Sequence, residues 1–179
     1  MPLFGEVEYE KLFGAGCYIN AKAKLYRGIK FRPGIILYMA EDTFIGDNCT
    51  ILVPKLTMEK GSQICAGTVL TGSEEVILRE NAVVGYNCTL LTASDTPKGY
   101  CMNDASPKEL RCIKRGKIEL MKGSFIGSNS VVMPAVTVWA DCVVAALSYV
   151  NGDVEAIDHH PVIYRSDHER EVRNIEGNK

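Results

Sequence analysis

The chain has 179 residues, of which 46% are hydrophobic and 23% are charged, and its formal net charge is −2. This length predicts a single domain that buries a sizeable core, and the composition argues against disorder. A slightly acidic chain lacks the positive charge that is typical of nucleic-acid-binding proteins, so we exclude nucleic acid as a partner.

The sequence predicts neither a membrane segment nor a secretory leader. No apolar run approaches the length of about 18 residues that a membrane-spanning helix needs. Residues 1–8 include two glutamates and no basic residue, so we expect a cytoplasmic protein. The seven cysteines are scattered and include no Cys-x-x-Cys pair, which favours reduced thiols over a disulfide scaffold or a zinc site.

A six-residue repeat extends from Ile45 to Val154, with interruptions. An aliphatic residue recurs at every sixth position, and a small or β-branched residue follows four positions later. The aliphatic positions are Ile45, Met58, Ile64, Leu70, Leu78, Val84, Leu90, Leu120, Ile126, Val132, Val138, Val144 and Val150. The small positions are Cys49, Ser62, Thr68, Ala82, Cys88, Ser94, Ser124, Ser130, Val136, Cys142, Ser148 and Val154.

This spacing predicts an all-β fold in which short parallel strands wind into a three-sided column. The helical period of 3.6 residues does not fit, and alternation within one strand does not explain a recurrence every six residues. Three hexads then form one coil, and successive coils stack at about 4.8 Å. The aliphatic residue points into the column and the small residue occupies a corner. Cys49, Cys88 and Cys142 therefore serve as small hydrophobic residues.

The repeat stops between Asp95 and Lys117. Residues 96–117 contain two prolines and two glycines, so we expect a loop that leaves one coil and returns to it. Binding and catalytic residues are concentrated on loops that a rigid scaffold positions, so we expect this loop to be a functional element. We expect one β-helix domain over residues 1–164, followed by a charged tail over residues 165–179.

Residues 125–154 resemble the left-handed parallel β-helix acyltransferases that are built from hexapeptide repeats. Within that family, the chain is most similar to the galactoside and maltose O-acetyltransferases and to relatives that act on polysaccharide sugars. The second similarity lies in residues 91–100 and 116–120, which include a Ser-Asp pair, a Gly-Tyr pair and the start of a proline-containing loop. The resemblance covers residues 17–165, and the left-handed winding is implied by it rather than by the spacing.

The resemblance implies an acetyltransferase that takes acetyl-CoA as donor. Family members form homotrimers, in which the donor lies in a groove between two subunits and a loop closes over the acceptor. The implied acceptor is a hydroxyl or amino group of a sugar or nucleotide sugar that is destined for a surface polysaccharide. The competing hypothesis is a non-catalytic trimeric binding module, because non-catalytic proteins also use hexapeptide repeats.

Asp95 stands where the O-acetyltransferases have a catalytic histidine. Histidine suits a general base because its pKa of about 6.5 lies near neutrality, whereas that of aspartate is about 3.9. Three interpretations stay open: burial raises the pKa of Asp95 so that it acts as the base, Asp95 orients an amino sugar that needs little base assistance, or the site is inactive. Each interpretation is compatible with a structural role for Asp95, in which its side chain hydrogen-bonds to the backbone of its own turn before Pro97.

Further site residues follow from the same resemblance. Ser128 and Ala146 match positions that line the donor groove, and Arg165 is the nearest cation that can meet the donor phosphates. Asn87 and Tyr100 are candidate contacts to the acceptor. The histidines are His159, His160 and His168, and adjacent residues of an extended segment point apart, so we expect no metal site.

Overall fold

The computed structural model describes residues 16–157, 162–165 and 170–172. Almost all of its regular structure consists of strands two to four residues long, which wind into a three-sided parallel β-helix. Each strand pairs in parallel with the strand one coil earlier, so that each face of the column is a sheet. The predicted parallel β-helix is confirmed.

Four coils precede the break in the repeat, and each coil places one strand on each face. In chain order these strands are β1 (Tyr18–Ile19), β2 (Lys24–Leu25), β3 (Lys30–Phe31), β4 (Ile36–Met39), β5 (Phe44–Ile45), β6 (Thr50–Ile51), β7 (Lys55–Met58), β8 (Gln63–Ile64), β9 (Val69–Thr71), β10 (Val76–Leu78), β11 (Val83–Val84) and β12 (Thr89–Leu91). The excursion follows, with β13 (Ala93–Asp95), a 3-10 turn (Lys108–Leu110) and β14 (Ile113–Arg115).

Two further full coils follow the excursion and finish the main column. Their strands are β15 (Ile118–Leu120), β16 (Phe125–Ile126), β17 (Val131–Val132), β18 (Thr137–Val138), β19 (Val143–Val144) and β20 (Tyr149–Val150). A partial seventh coil adds β21 (Val162–Tyr164), which pairs in parallel with β19, and β22 (Arg170–Val172), which pairs antiparallel with β21. The proposed domain boundary at residues 164 and 165 stays a prediction.

The strand order defines three faces and three corners. The first face is β1-β4-β7-β10-β15-β18, the second is β2-β5-β8-β11-β16-β19-β21-β22, and the third is β3-β6-β9-β12-β17-β20. We call the turns between the first and second faces the first corner, those between the second and third faces the second corner, and those between the third and first faces the third corner.

The core of the column consists of the residues that the repeat predicts. Every aliphatic position of the repeat is fully buried, and so is every small position except Ser94. Because side chains alternate along a strand, each two-residue strand sends one side chain inward and the other outward. Cys49, Cys88 and Cys142 are buried at corners, and all seven cysteines are free thiols. Burial raises the pKa of the Cys49 and Cys88 thiols, as expected for structural cysteines.

The excursion departs from the third corner and returns to it. The chain leaves the column after Leu91 and rejoins it at Ile118, which pairs with Val76 of the preceding coil. In between, β13 and β14 form an antiparallel ribbon, so the excursion begins before the predicted bound of residue 96. Ser94 lies in this ribbon, half-exposed, and the prediction that it occupies a small corner position is wrong.

Candidate active site

The second corner is a column of turns that share one backbone conformation. One residue of each turn has a positive φ between 53° and 76°, a region that favours glycine and asparagine. In coil order these residues are Gly28, Asn48, Gly67, Asn87, Asn129 and Leu147. The structure thus places Asn87, Ser128 and Ala146 in three successive turns of one corner, although they are far apart in sequence.

Asn87 has a structural role at this corner, through its backbone conformation and its contacts with the preceding coil. Its φ is 53°, and its N–H donates to the carbonyl of Ala66 in the preceding coil at 3.0 Å. Its Oδ1 lies against Gly67, where a Cβ atom would clash with it. These contacts account for an asparagine at this position, and a contact between Asn87 and an acceptor stays a prediction.

Ser128 connects the coil before it to the coil after it. Its hydroxyl accepts from the N–H of Tyr86 at 3.2 Å, and its carbonyl accepts from the N–H of Leu147 at 3.0 Å. Within the described ranges, the N–H group of Ser128 has no acceptor. Peptide N–H groups without an internal acceptor are the donors that a carbonyl or amide of a ligand at this corner can use.

Two glycines of the second corner lie against the nitrogens of Ser128 and Ala146, and sequence reasoning missed them. A Cβ atom at Gly85 would lie 2.8 Å from the nitrogen of Ser128, and a Cβ atom at Gly127 would clash with the nitrogen of Ala146. Glycine therefore lets the backbone of the next coil pass closely at both levels. The available signal was a glycine that directly follows an inward aliphatic residue, as in Val84-Gly85 and Ile126-Gly127.

Arg165 lies at the same corner, one coil beyond Ala146. It follows β21, and the carbonyl of Tyr164 accepts from the N–H of Ala145 at 2.9 Å. Four successive coils carry Asn87, Ser128, Ala146 and Arg165. The coil of Asn87 and the coil of Arg165 are therefore three coil spacings apart, which is about 14 Å. We call Ser128, Ala146 and Arg165 the donor column, because the resemblance predicts that these three residues bind the donor; Asn87 lies one coil before it at the same corner.

Asp95 lies at the end of β13 and is held by an arginine. Arg111 donates from Nε to Oδ1 of Asp95 at 2.9 Å and from Nη2 to Oδ2 at 2.6 Å, which is a two-point contact between parallel planar groups. The Nη2 atom of Arg111 also pairs with Oδ1 of Asp104 at 2.7 Å. Sequence reasoning did not identify Arg111, because the pairing depends on the register of the ribbon.

This contact determines the protonation of Asp95. The hydrogen bonds from Arg111, together with the positive charges of Arg111 and Arg115, hold the pKa of the Asp95 carboxyl below its ordinary value. Burial acts in the opposite direction, but Arg111 outweighs it, which contradicts the interpretation of Asp95 as a base with a raised pKa. The side chain is an ionised carboxylate at neutral pH and a weak proton acceptor.

Tyr100 lies on the excursion and is 93% exposed. It follows a turn in which the N–H of Gly99 donates to the carbonyl of Thr96 at 3.2 Å. No aromatic ring in the described part of the chain stacks on it. The ring is thus accessible to a ligand, and its contact with an acceptor stays a prediction.

The donor column and the excursion lie at different corners of one chain. Asn87 lies in the second-corner turn before β12 of the third face, and Thr92, where the excursion leaves the column, is five residues later. An extended segment of that length spans about 16 Å. The third face thus separates the donor column from the base of the ribbon that carries Asp95.

Comparison with known proteins gives structural relatives only. No family model matches the chain, and no curated protein sequence matches it. Among solved structures, a point mutant of AntD, an N-acyltransferase from Bacillus cereus in complex with dTDP and coenzyme A, superposes with a TM-score of 0.71 at 25% identity, over 100% of this chain and 92% of that chain. AntD in complex with dTDP and 3-hydroxybutyryl-CoA superposes with a TM-score of 0.64 at 26% identity, over 92% of this chain and 86% of that chain.

A second relative has the same architecture. The hexapeptide-repeat-containing acetyltransferase VCA0836 from Vibrio cholerae superposes with a TM-score of 0.52 at 18% identity, over 97% of this chain and 82% of that chain. The chain has the fold of the hexapeptide-repeat acyltransferases. The resemblance predicted from residues 125–154 is confirmed.

In the residues that the structure describes, no helix is long and apolar enough to cross a membrane. In the same residues, no three His, Cys, Asp or Glu side chains are grouped so that they could hold a metal ion. His159, His160 and His168 lie outside the described residues.

Proposed function

We propose that this protein transfers an acyl group from a coenzyme A thioester, acetyl-CoA in the simplest case, to the amino group of a nucleotide sugar. We choose an amino group over a hydroxyl group as the acceptor because the Asp95 carboxylate is ionised and is held by Arg111. The similarity to AntD, an N-acyltransferase whose structures contain coenzyme A and dTDP, supports the same class of reaction. The destination of the sugar in a surface polysaccharide stays a prediction.

An amine suits a weak proton acceptor better than a hydroxyl does. A neutral amine attacks the thioester carbonyl carbon without prior loss of a proton, and the nitrogen becomes positively charged as the C–N bond forms. A nearby carboxylate stabilises that charge. The C–S bond then breaks, the nitrogen loses its proton, and coenzyme A leaves as the thiol. A hydroxyl has to lose its proton during the attack, and a carboxylate with a lowered pKa is poorly suited to accept it.

The donor column suits the thioester and the coenzyme A arm. The N–H of Ser128 is positioned to donate to the thioester oxygen, where negative charge develops as the amine attacks. Ala146 leaves room beside the corner for the pantetheine arm, and the guanidinium of Arg165 suits a phosphate at the far end. Asn87 of one subunit and Tyr100 of the neighbouring subunit then contact the sugar, and Asp95 of that neighbouring subunit lies at its amino group.

The two faces that meet at the donor column suit assembly into a homotrimer. From the second to the sixth coil, the outward positions of the second and third faces carry no charged residue. The first face instead carries an ion-pair network in which Arg79 bridges Glu59 and Glu119, and Lys117 pairs with Glu119. Uncharged faces are favourable to bury between subunits, and such assembly would bring the excursion of one chain toward the donor column of another.

The acceptor is tested with two matched compounds. With acetyl-CoA as donor and release of the coenzyme A thiol as the signal, dTDP-4-amino-4,6-dideoxyglucose is compared with the same nucleotide sugar that carries a hydroxyl in place of the amino group. We expect kcat/KM to be at least about 100-fold higher for the amine. We also expect the rate to rise with pH as the amine loses its proton. Equal rates for the two compounds contradict N-acylation, and no thiol release with either favours the binding module.

The assembly is tested with a lysine on the third face. Val131 is an outward residue of that face, whereas Thr57 is an outward residue of the first face. We expect light scattering to give three times the chain mass for the unaltered protein and for Thr57→Lys. We expect Val131→Lys to give a single chain, because a charge has to be desolvated at a subunit contact. A trimeric Val131→Lys with native circular dichroism contradicts this arrangement.

A further inference from the structure

The excursion has a charge opposite to that of the whole chain. Residues 92–117 include six Lys or Arg residues and three Asp or Glu residues, so the excursion has a net charge of +3 in a chain of net charge −2. The remaining residues are therefore net acidic. Such segregation of charge attracts an anionic ligand to the excursion.

The ribbon places Lys114 and Arg115 on opposite sides. In an antiparallel ribbon, residues that face each other across the strands have their side chains on the same side. The pairs are Ala93 with Arg115, Ser94 with Lys114, and Asp95 with Ile113. Arg115 is therefore on the same side as Asp95, whereas Lys114 is on the opposite side.

Arg115 is the cation available on the Asp95 side of this ribbon. Arg111 shares that side, but its guanidinium is occupied by the carboxylates of Asp95 and Asp104. Arg115 is exposed, and among the described residues it forms no ion pair. Its positive charge contributes to the lowered pKa of Asp95, which agrees with a position close to that carboxylate.

The spacing along the ribbon matches the size of a sugar. The pair that contains Arg115 and the pair that contains Asp95 are two residues apart, which corresponds to about 7 Å. A hexose with an amino group on one side of the ring and a phosphate on the anomeric carbon has about this length. A carboxylate that faces the developing ammonium charge and a guanidinium that faces the phosphate thus match the two ends of one amino sugar phosphate.

We propose that Arg115 binds the phosphate on the anomeric carbon of the acceptor while Asp95 contacts its amino group. The ribbon then selects nucleotide-linked amino sugars over free amino sugars. This inference rests on the proposed function, and it goes further by identifying the diphosphate as the group that the excursion recognises.

The binding test uses a nucleoside diphosphate without any sugar. Calorimetric titration of dTDP into the intact protein is compared for the unaltered chain, Arg115→Gln and Lys114→Gln. We expect Arg115→Gln to weaken dTDP binding by about 10- to 100-fold, the effect of one charge-assisted hydrogen-bonding group. We expect Lys114→Gln, which removes the same charge on the other side of the ribbon, to change it by less than about threefold. Equal losses in both variants indicate a diffuse charge effect and overturn the proposal, as does unchanged binding in Arg115→Gln.

A kinetic comparison separates this inference from the proposed function. We expect Arg115→Gln to raise KM for the nucleotide amino sugar, with KM for acetyl-CoA unchanged. With the free 4-amino sugar as acceptor, the two proteins should have the same low kcat/KM. If the unaltered protein acylates no amine, the proposed function fails. If it acylates the nucleotide sugar and Arg115→Gln does so with the same KM, only the phosphate assignment fails.

Discussion

Replacing Asp95 by asparagine should lower kcat/KM for acyl transfer to the nucleotide amino sugar by about 100-fold. Asparagine has nearly the same shape but no negative charge, so it cannot stabilise the positive charge that develops on the attacking nitrogen. The substitution also removes the negatively charged partner of Arg111, whose Nη2 lies 2.6 Å from Oδ2 of Asp95. The measurement is steady-state release of the coenzyme A thiol, together with a titration of coenzyme A, whose affinity should not change.

Asp104→Asn is the matched control. Asp104 contacts the same nitrogen of Arg111, but its side chain is 97% exposed and it lies away from the ribbon strands. We expect Asp104→Asn to keep kcat/KM within about twofold, because exposed ion pairs contribute little. Equal losses in the two variants would show that Arg111 is the important residue and that Asp95 serves only to hold it.

The pH dependence gives an independent check on the same residue. Because Arg111 lowers the pKa of Asp95, the carboxylate stays ionised throughout the range from weakly acidic to weakly basic pH. Any change of rate in that range should therefore follow the acceptor amine and persist in Asp95→Asn. An inflection near neutral pH that disappears in Asp95→Asn would show that Asp95 titrates there, contrary to its contacts.

Replacing Leu120 by alanine should destabilise the protein by about 2–5 kcal/mol. Leu120 is fully buried in the column and is the last residue of β15, which pairs with β10 on one side and β18 on the other. Removal of its side chain leaves a cavity that neighbouring coils fill poorly, because both are fixed by backbone pairing. The measurement is urea-induced unfolding followed by circular dichroism.

Leu110→Ala provides the same chemical change at an exposed position. Leu110 ends the 3-10 turn of the excursion and is 41% exposed. We expect its replacement to change the free energy of unfolding by less than about 1 kcal/mol. A loss of similar size in both variants would mean that the excursion packs as part of the core. A loss in neither would contradict a column held together by its inward aliphatic residues.

The repeat predicts the column because burial in this fold is local and periodic. Each inward position, such as Val84 or Ile126, is buried by the residues one coil away, so a pattern of every sixth residue determines what is inside. The prediction for Ser94 is wrong because a period cannot show where the chain leaves a coil. The antiparallel pairing of β13 with β14 replaces the corner there, and it depends on residues about twenty positions later.

The amino-acid sequence alone determined the three-sided column, its buried residues and the resemblance to acyltransferases, because each depends on residue types at a regular spacing. Only the tertiary structure decided how the site is charged and arranged. Coil stacking aligned Asn87, Ser128 and Ala146 at one corner, and ribbon register placed Arg111 and Arg115 on the side of Asp95. The protonation of Asp95 followed from that placement, since a pKa depends on charges that are near in space rather than in sequence.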